Sequence, residues 1–195
     1  MNVDEFWFFL ERSARETGNP EERLQWLEGR LSRVSLTHVV DFQACLIAAR
    51  TPVDTYALWG AACQAMDGLC SSDGFWYFQP WLIGQGRDWY EHAVRDPDNL
   101  ADVPGVRALA GRRPREWSRT EFPTWEALAY AAPRVHGHRT GHEESIGSAL
   151  AERGMRNPSG PEPADRPWNF DNRADVQRRL PRLAEMFPRR NHSRG

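Results

Sequence analysis

The chain has 195 residues and a mass of 22.4 kDa, enough for one domain with a buried core and too little for two full-sized domains. Its apolar fraction of 40% and charged fraction of 27% are typical of globular proteins and exclude a disordered or fibrous chain. All 25 basic residues are arginine. Functions that need a lysine, such as a Walker-type phosphate loop or a Schiff-base cofactor, are therefore excluded.

The first hundred residues predict a series of helices with short connections. Capping side chains indicate where these helices start: Asp4, Asn19, Ser35, Asp54 and the segment 71–73. Each start is followed by apolar residues at helical spacing, as in Leu24, Leu27 and Leu31. The helix from 71–73 ends at Gly84 or Gly86 and contains Pro80, which predicts a kink. A further helix is expected over 87–95, and such a series favours antiparallel packing around one core.

The remainder of the chain has a weaker helical pattern. Glycines and prolines between 100 and 122 indicate a surface loop, and the helix after it, from Thr124, should be interrupted at Pro133. The organisation predicted is a single helical domain (1–150), a flexible arm rich in proline and glycine (151–170), a C-terminal helix packing on the domain (171–188) and a disordered tail (189–195). The predicted fold is all-α, a compact antiparallel multi-helix bundle with an irregular loop region.

The distribution of charge argues against nucleic acid as a partner. Residues 1–100 contain 8 arginines and 15 acids, a net charge of −7, whereas residues 101–195 contain 17 arginines and 12 acids, a net charge of +5. The arginines of the basic half are scattered among acids and prolines, and no continuous basic helix is predicted. No apolar run has the roughly 18 to 20 residues that span a bilayer, and acids precede the first apolar stretch. We therefore expect a cytoplasmic protein that does not enter a membrane.

Cysteines and histidines give no strong metal signature. Cys45, Cys63 and Cys70 lack paired spacing, which excludes a zinc ribbon and a disulfide framework. His136, His138 and His142 form the only cluster of ligand residue types, and only the last two would share a helix face. A polar surface segment is the favoured interpretation of this cluster, so no metal and no cofactor are predicted.

Several short motifs occur in an order that resembles a known family. They are 4–7 (DEFW), 59–62 (WGAA), 70–75 (CSSDGF), Phe78, 81–83 (WLI), 86–87 (GR), 140–141 (TG) and 179–183 (RLPRL). By these motifs the chain resembles the bacterial family catalogued as domain of unknown function 4240, over nearly its whole length. The resemblance implies a mostly helical cytosolic protein from actinobacteria or their relatives, and it implies no settled activity.

The candidate site lies in the densest aromatic stretch of the chain. Trp59, Asp73, Trp76, Trp81 and Arg87 are the candidate ligand-binding residues, because aromatic side chains wall pockets and an acid and an arginine can orient a polar ligand. This pattern predicts a helical binding module that holds a peptide, a protein partner or a small ligand in a cleft formed by residues 59–90.

Two alternatives to this prediction remain open. The chain could be an enzyme of small-molecule or peptide maturation, with a polar centre at Asp73 and Arg87 assisted by His136 or His138. In a simpler interpretation Asp73 only caps a helix, and the tryptophans belong to a buried scaffold.

Overall fold

All regular secondary structure in the described part of the chain is helical. The computed structural model describes residues 1–188, and the predicted tail (189–195) lies outside the described residues. The α-helices are α1 (Val3–Glu16), α2 (Pro20–Leu31), α3 (Leu36–Arg50), α4 (Tyr56–Ala65), α5 (Ser72–Gly84), α6 (Arg87–Arg95), α7 (Pro104–Arg107), α8 (Glu126–Thr140), α9 (Ser145–Ala151), α10 (Arg173–Arg179) and α11 (Pro181–Met186). Three 3-10 segments accompany them: Thr51–Val53, Pro97–Asp102 and Pro114–Glu116. The predicted all-α fold is confirmed.

Side-chain caps set most of the helix starts. The predicted caps of α2, α3 and α5 are confirmed, and they are Asn19, Ser35 and Ser71. At α1 the cap is Asn2, which forms a reciprocal capping box with Glu5, and the predicted cap Asp4 lies inside the first turn. At α4 the cap is Thr55, one residue after the predicted Asp54. A neighbouring polar side chain thus takes the capping position in both corrected cases.

The core is built around α5 and α8. Phe75, Phe78 and Leu82 on α5 are fully buried, and each large apolar side chain removed from water stabilises the fold by about 1.5–3 kcal/mol. Helix α8 packs against α2, α3, α5 and α9 and continues through Pro133, so the predicted interruption there is wrong. Packing on several sides compensates for the backbone bond that the proline removes. No helix among residues 1–188 is long and apolar enough to cross a bilayer.

The predicted surface loop between 100 and 122 is wrong for its first part. Four apolar residues spaced by three are completely buried there: Leu100, Val103, Val106 and Leu109. A spacing of three is the period of a 3-10 helix, whose side chains at i and i+3 lie directly above one another. The segment Pro97–Asp102 packs against α4, α6 and α11, so the prolines of this region start short helical turns on the core.

The segment between α9 and α10 has no regular structure but is held against α4. The carboxylate of Asp165 accepts hydrogen bonds from the backbone N–H groups of Tyr56 and Ala57 at the start of α4. The indole N–H of Trp168 donates to the Tyr56 carbonyl at 3.1 Å, and the Trp168 ring lies directly against Gly60. Beyond it, the predicted C-terminal helix is two short helices, α10 and α11, which meet at Pro181.

Candidate functional site in a cleft beside Arg50

A cleft lies between α3, α5, α8, α9 and the extended residues 157–159. Its main cavity has a volume of about 640 Å³, within the range of about 300–1,000 Å³ that is usual for ligand sites. A second cavity of about 290 Å³ adjoins it and shares four lining residues with it: Ile47, Arg50, Trp76 and Pro158. Apolar side chains from three helices line the main cavity: Leu46, Ile47, Pro133 and Ile146. We call the two cavities together the Arg50 cleft.

Arg50 is the last residue of α3, and its side chain stacks on an indole in the cleft wall. The guanidinium carbon lies 3.6 Å from the centroid of the Trp76 ring, a close cation–π contact. Its Nη2 donates a hydrogen bond to the Trp76 carbonyl at 3.3 Å. That carbonyl lacks its usual helical donor, because the residue four positions later is Pro80, which has no N–H. The proline therefore helps to hold Arg50 in the cleft wall.

The guanidinium of Arg50 is only partly satisfied. Arg50 is 5% exposed, and its Nη1 is buried with no hydrogen-bond partner among residues 1–188. Burial lowers the pKa of Arg50 to about 10, so the side chain is still a cation at neutral pH. A buried charge without a full set of partners is costly. The wall of the cleft thus contains a cationic donor that lacks an acceptor.

Arg23 shows what a satisfied arginine looks like in the same fold. Its guanidinium also stacks on an indole, with the guanidinium carbon 4.5 Å from the centroid of the Trp125 ring, and burial also lowers its pKa to about 10. However, Arg23 donates to the carbonyls of Gly84 at 2.8 Å and Leu10 at 3.4 Å, and to the Ser13 hydroxyl at 3.3 Å. Unlike Arg50, it serves as a structural connection between α1, α2 and α5.

Acceptors with spare hydrogen-bonding capacity line the same cleft as Arg50. Gln43 lies two helical turns before Arg50 on α3, is 5% exposed, and its Oε1 has no hydrogen-bond partner in the described chain. On α8, Pro133 removes the N–H that would bond to the Ala129 carbonyl, and both residues line the cleft. At the mouth, Glu143 and Glu144 are exposed, and neither is in an ion pair with another residue of 1–188. The cleft therefore combines one buried donor with several acceptors.

Asp54 attaches the extended wall of the cleft to the helical body. Its carboxylate accepts hydrogen bonds from Gln79 Nε2 at 3.0 Å and from the backbone N–H of Glu162 at 2.7 Å. Its backbone carbonyl accepts from the N–H of Ala164 at 3.0 Å. Burial raises the pKa of Asp54, and these hydrogen bonds and the charge of Arg50 oppose that rise. Residues 162–164 are thereby held beside the smaller cavity.

Of the three predicted tryptophans, Trp76 lines the cleft. Trp59 stacks on the Phe75 ring with centroids 5.0 Å apart, and its indole N–H donates to the Cys70 carbonyl at 3.0 Å. Trp81 is 9% exposed and packs against Gly105. The structure places Trp59 and Trp81 in the packing around the core, as the buried-scaffold alternative expected.

The polar pair Asp73 and Arg87 is not brought together. Asp73 is exposed in the first turn of α5, and Arg87 is the first residue of α6. Asp73 lies at one end of α5 and Arg87 follows its other end, and the α5 axis between them is about 16 Å long at 1.5 Å per residue. Arg87 instead pairs at the surface with Asp4 at 2.9 Å and Glu91 at 2.7 Å. Asp73 and Arg87 therefore do not form the polar centre that the enzyme alternative predicts.

The three histidines do not converge either. His136 is buried, and its Nδ1 lies 2.6 Å from the Ser145 hydroxyl in a hydrogen bond. Burial lowers the pKa of His136. His138 and His142 are exposed, and within residues 1–188 no group of three or more His, Cys, Asp or Glu side chains is placed to hold a metal.

Sequence reasoning missed Gln43 and Arg50. Arg50 resembles an ordinary basic residue at a helix C-terminus, where it complements the helix dipole. The available signal was the face of α3 on which it lies. Positions 39, 43, 46 and 50 share one face, so two polar side chains alternate with the buried Val39 and Leu46. Polar residues on a core-facing stripe indicate either an internal hydrogen bond or a site.

Comparison with protein families identifies the chain. The model of a family described as "Protein of unknown function (DUF4240)" matches residues 1–136. The chain belongs to the DUF4240 family. The resemblance inferred from the short motifs is thereby confirmed over residues 1–136, and the motifs at 140–141 and 179–183 lie beyond the match. The matched region of this DUF4240 protein includes Gln43, Arg50 and Trp76. The comparisons with curated proteins and with solved structures gave no match.

Proposed function

We propose that this DUF4240 protein is a helical binding module whose ligand occupies the Arg50 cleft. The proposal rests on one observation: Nη1 of the buried Arg50, in the wall of a cavity of about 640 Å³, has no hydrogen-bond partner among residues 1–188. An acceptor brought by a ligand would complete the hydrogen bonding of a charge that is expensive to bury unsatisfied. Binding would thus supply what the fold leaves open.

The shape and lining of the cleft support a small molecule or the end of a peptide as the ligand. Ligand sites are concave and mostly apolar, with a few polar groups that fix orientation. Here Trp76, Leu46 and Ile146 provide the apolar surface, and Arg50 and Gln43 provide the polar groups. Trp76 keeps the predicted aromatic wall, while the centre of the site shifts from the stretch 59–90 toward the end of α3.

Filling the cleft without disturbing the fold tests the proposal. Gly147 on α9 lines the cleft, and a Cβ built there has no heavy atom within 4 Å, so Gly147→Trp should place an indole in the cleft. Gly29 on α2 also has open space around its Cβ position and does not line the cleft, so Gly29→Trp is a matched control. Both proteins should melt cooperatively.

The measurement is a ligand-observed NMR screen of amino acids, short peptides and small organic acids. We expect compounds that bind the unaltered protein and Gly29→Trp and do not bind Gly147→Trp. If no compound binds, or if every binder is retained by Gly147→Trp, the Arg50 cleft is not a ligand site.

A further inference from the structure

We infer that the ligand is a zwitterion, with a carboxylate that binds Arg50 and an amine that faces Gln43 and the glutamates at the mouth, joined by an apolar body. A short peptide of apolar residues with free termini has this chemistry. The inference deepens the proposed function and rests on it, because it assigns a ligand class to the same cleft.

The carboxylate follows from the one unsatisfied cation among the described residues that line the cleft. Arg50 Nη1 needs an acceptor, and an arginine bound to a carboxylate forms a charge-assisted hydrogen bond. A phosphate dianion would also be an acceptor, but the surrounding charges disfavour it. Besides Arg50, the charged residues of 1–188 that line the cleft are one arginine, Arg156, and four acids: Asp54, Glu143, Glu144 and Glu162. Because Arg156 is already paired with Glu162, a dianion would meet an excess of like charge.

The amine follows from the acceptors that remain. The buried Gln43 Oε1 has no donor among residues 1–188, and the Ala129 carbonyl loses its helical donor to Pro133. Glu143 and Glu144 add two exposed carboxylates at the mouth of the same cavity. An ammonium group has three donors and a positive charge, so it satisfies several of these acceptors. A simple carboxylic acid has no ammonium donors and leaves these acceptors without a partner.

The body of the ligand is set by the surface between these polar ends. The cavity offers an aromatic and aliphatic surface there, formed by Leu46, Ile47, Trp76, Pro133 and Ile146. Apolar side chains of a peptide would bury area there at about 25 cal/mol per Å². A polar body would lose its water without finding partners, which is why an apolar peptide is the expected class.

Four forms of one dipeptide separate the contributions of the two ends. The probes are leucyl-phenylalanine, its N-acetyl form, its C-terminal amide and the doubly capped form, each titrated by calorimetry at pH 7. Phenyl phosphate is the dianion probe. Leucyl-phenylalanine should bind most tightly. Capping the carboxylate should weaken binding at least about tenfold, because a hydrogen bond to a charged group is lost. Capping the amine should weaken it between about two- and tenfold, because some of its partners are exposed.

Side-chain changes assign each end to its partner. Arg50→Gln should remove the difference between the free carboxylate and the amide. The double change Glu143→Gln and Glu144→Gln should weaken leucyl-phenylalanine and leave the N-acetyl form unaffected. Glu152→Gln, at an exposed position outside the cleft, is the matched control and should change nothing. The titrations of the unaltered protein decide the inference even if Arg50→Gln fails to fold.

The outcomes distinguish the ligand class from the proposed function. The zwitterion is ruled out if phenyl phosphate or the N-acetyl form binds most tightly, or if all four dipeptide forms bind equally. It is also ruled out if none of the four forms binds, while some other compound binds the unaltered protein and does not bind Gly147→Trp. If all four forms bind equally, or if only some other compound binds, the cleft is still a binding site provided that Gly147→Trp abolishes that binding. If Gly147→Trp blocks no compound, the function and the ligand class are both wrong.

Discussion

Replacing Gly60 by alanine should destabilise this protein, although the same change usually stabilises a helix. A Cβ at position 60 would lie 2.1 Å from Cζ2 of Trp168, so the indole must move. Moving it loses the hydrogen bond to the Tyr56 carbonyl, about 0.5–1.5 kcal/mol, and the burial of a partly buried ring, about 1–2 kcal/mol. The helix gains about 1 kcal/mol from alanine. The net loss should be about 0.5–2.5 kcal/mol.

The free energy of unfolding in urea measures this loss. Gly29→Ala is the control, because position 29 is open and the change should stabilise by about 0.5–1 kcal/mol. In a Trp168→Ala background the obstacle is gone, so Gly60→Ala should become stabilising as well. The reasoning is refuted if Gly60→Ala stabilises the unaltered protein as much as Gly29→Ala does. Trp168 would then not be seated on α4, and the segment 151–170 would be the flexible arm predicted from its composition.

Three further predictions concern Trp81, Asp102 and Cys70. Trp81→Ala should lower the free energy of unfolding by about 3–5 kcal/mol, since the ring is 9% exposed and packs on Gly105; a change below about 1 kcal/mol would contradict its core position. Arg182 lowers the pKa of Asp102 from 3.8 to about 2, so the ionised carboxylate stabilises the fold above pH 3.8, and this stability is lost as pH falls toward 2. Asp102→Asn should flatten acid unfolding over that window, and an unchanged profile would contradict the assignment. The neighbouring Cys63 thiol and burial both raise the pKa of the Cys70 thiol, so its labelling by a disulfide reagent should be much slower in the native protein than in urea, and equal rates would contradict its burial.

The helices of the first hundred residues were predictable because their signals are local. A capping side chain and an apolar stripe lie within a few residues of each other, as at Asn19 and Ser35. The segment after residue 100 was less predictable, because prolines usually interrupt helices, whereas here Pro97 and Pro104 begin short helical turns whose buried apolar residues recur every three positions.

The site was harder to predict because it depends on contacts between distant segments. Trp76 was identified from the aromatic content of α5, but Trp59 and Trp81 have the same composition around them and pack in the core. Trp76 differs from Trp59 and Trp81 in how far other parts of the fold cover its ring, and the local sequence carries no information about that. Arg50 becomes notable only when the carbonyl left free by Pro80, 30 positions later in the sequence, is placed beside it.

The two sides of the Arg50 cleft come from different parts of the chain. Gln43, Arg50 and Trp76 lie within the region that matches the family, whereas Glu143, Glu144 and residues 157–159 lie beyond it. The glutamates at the mouth are exposed, and surface substitutions usually change stability by no more than about 0.5 kcal/mol. A substitution at either glutamate would therefore change the charge at the mouth of the cleft while the buried arginine and the helical core stay the same.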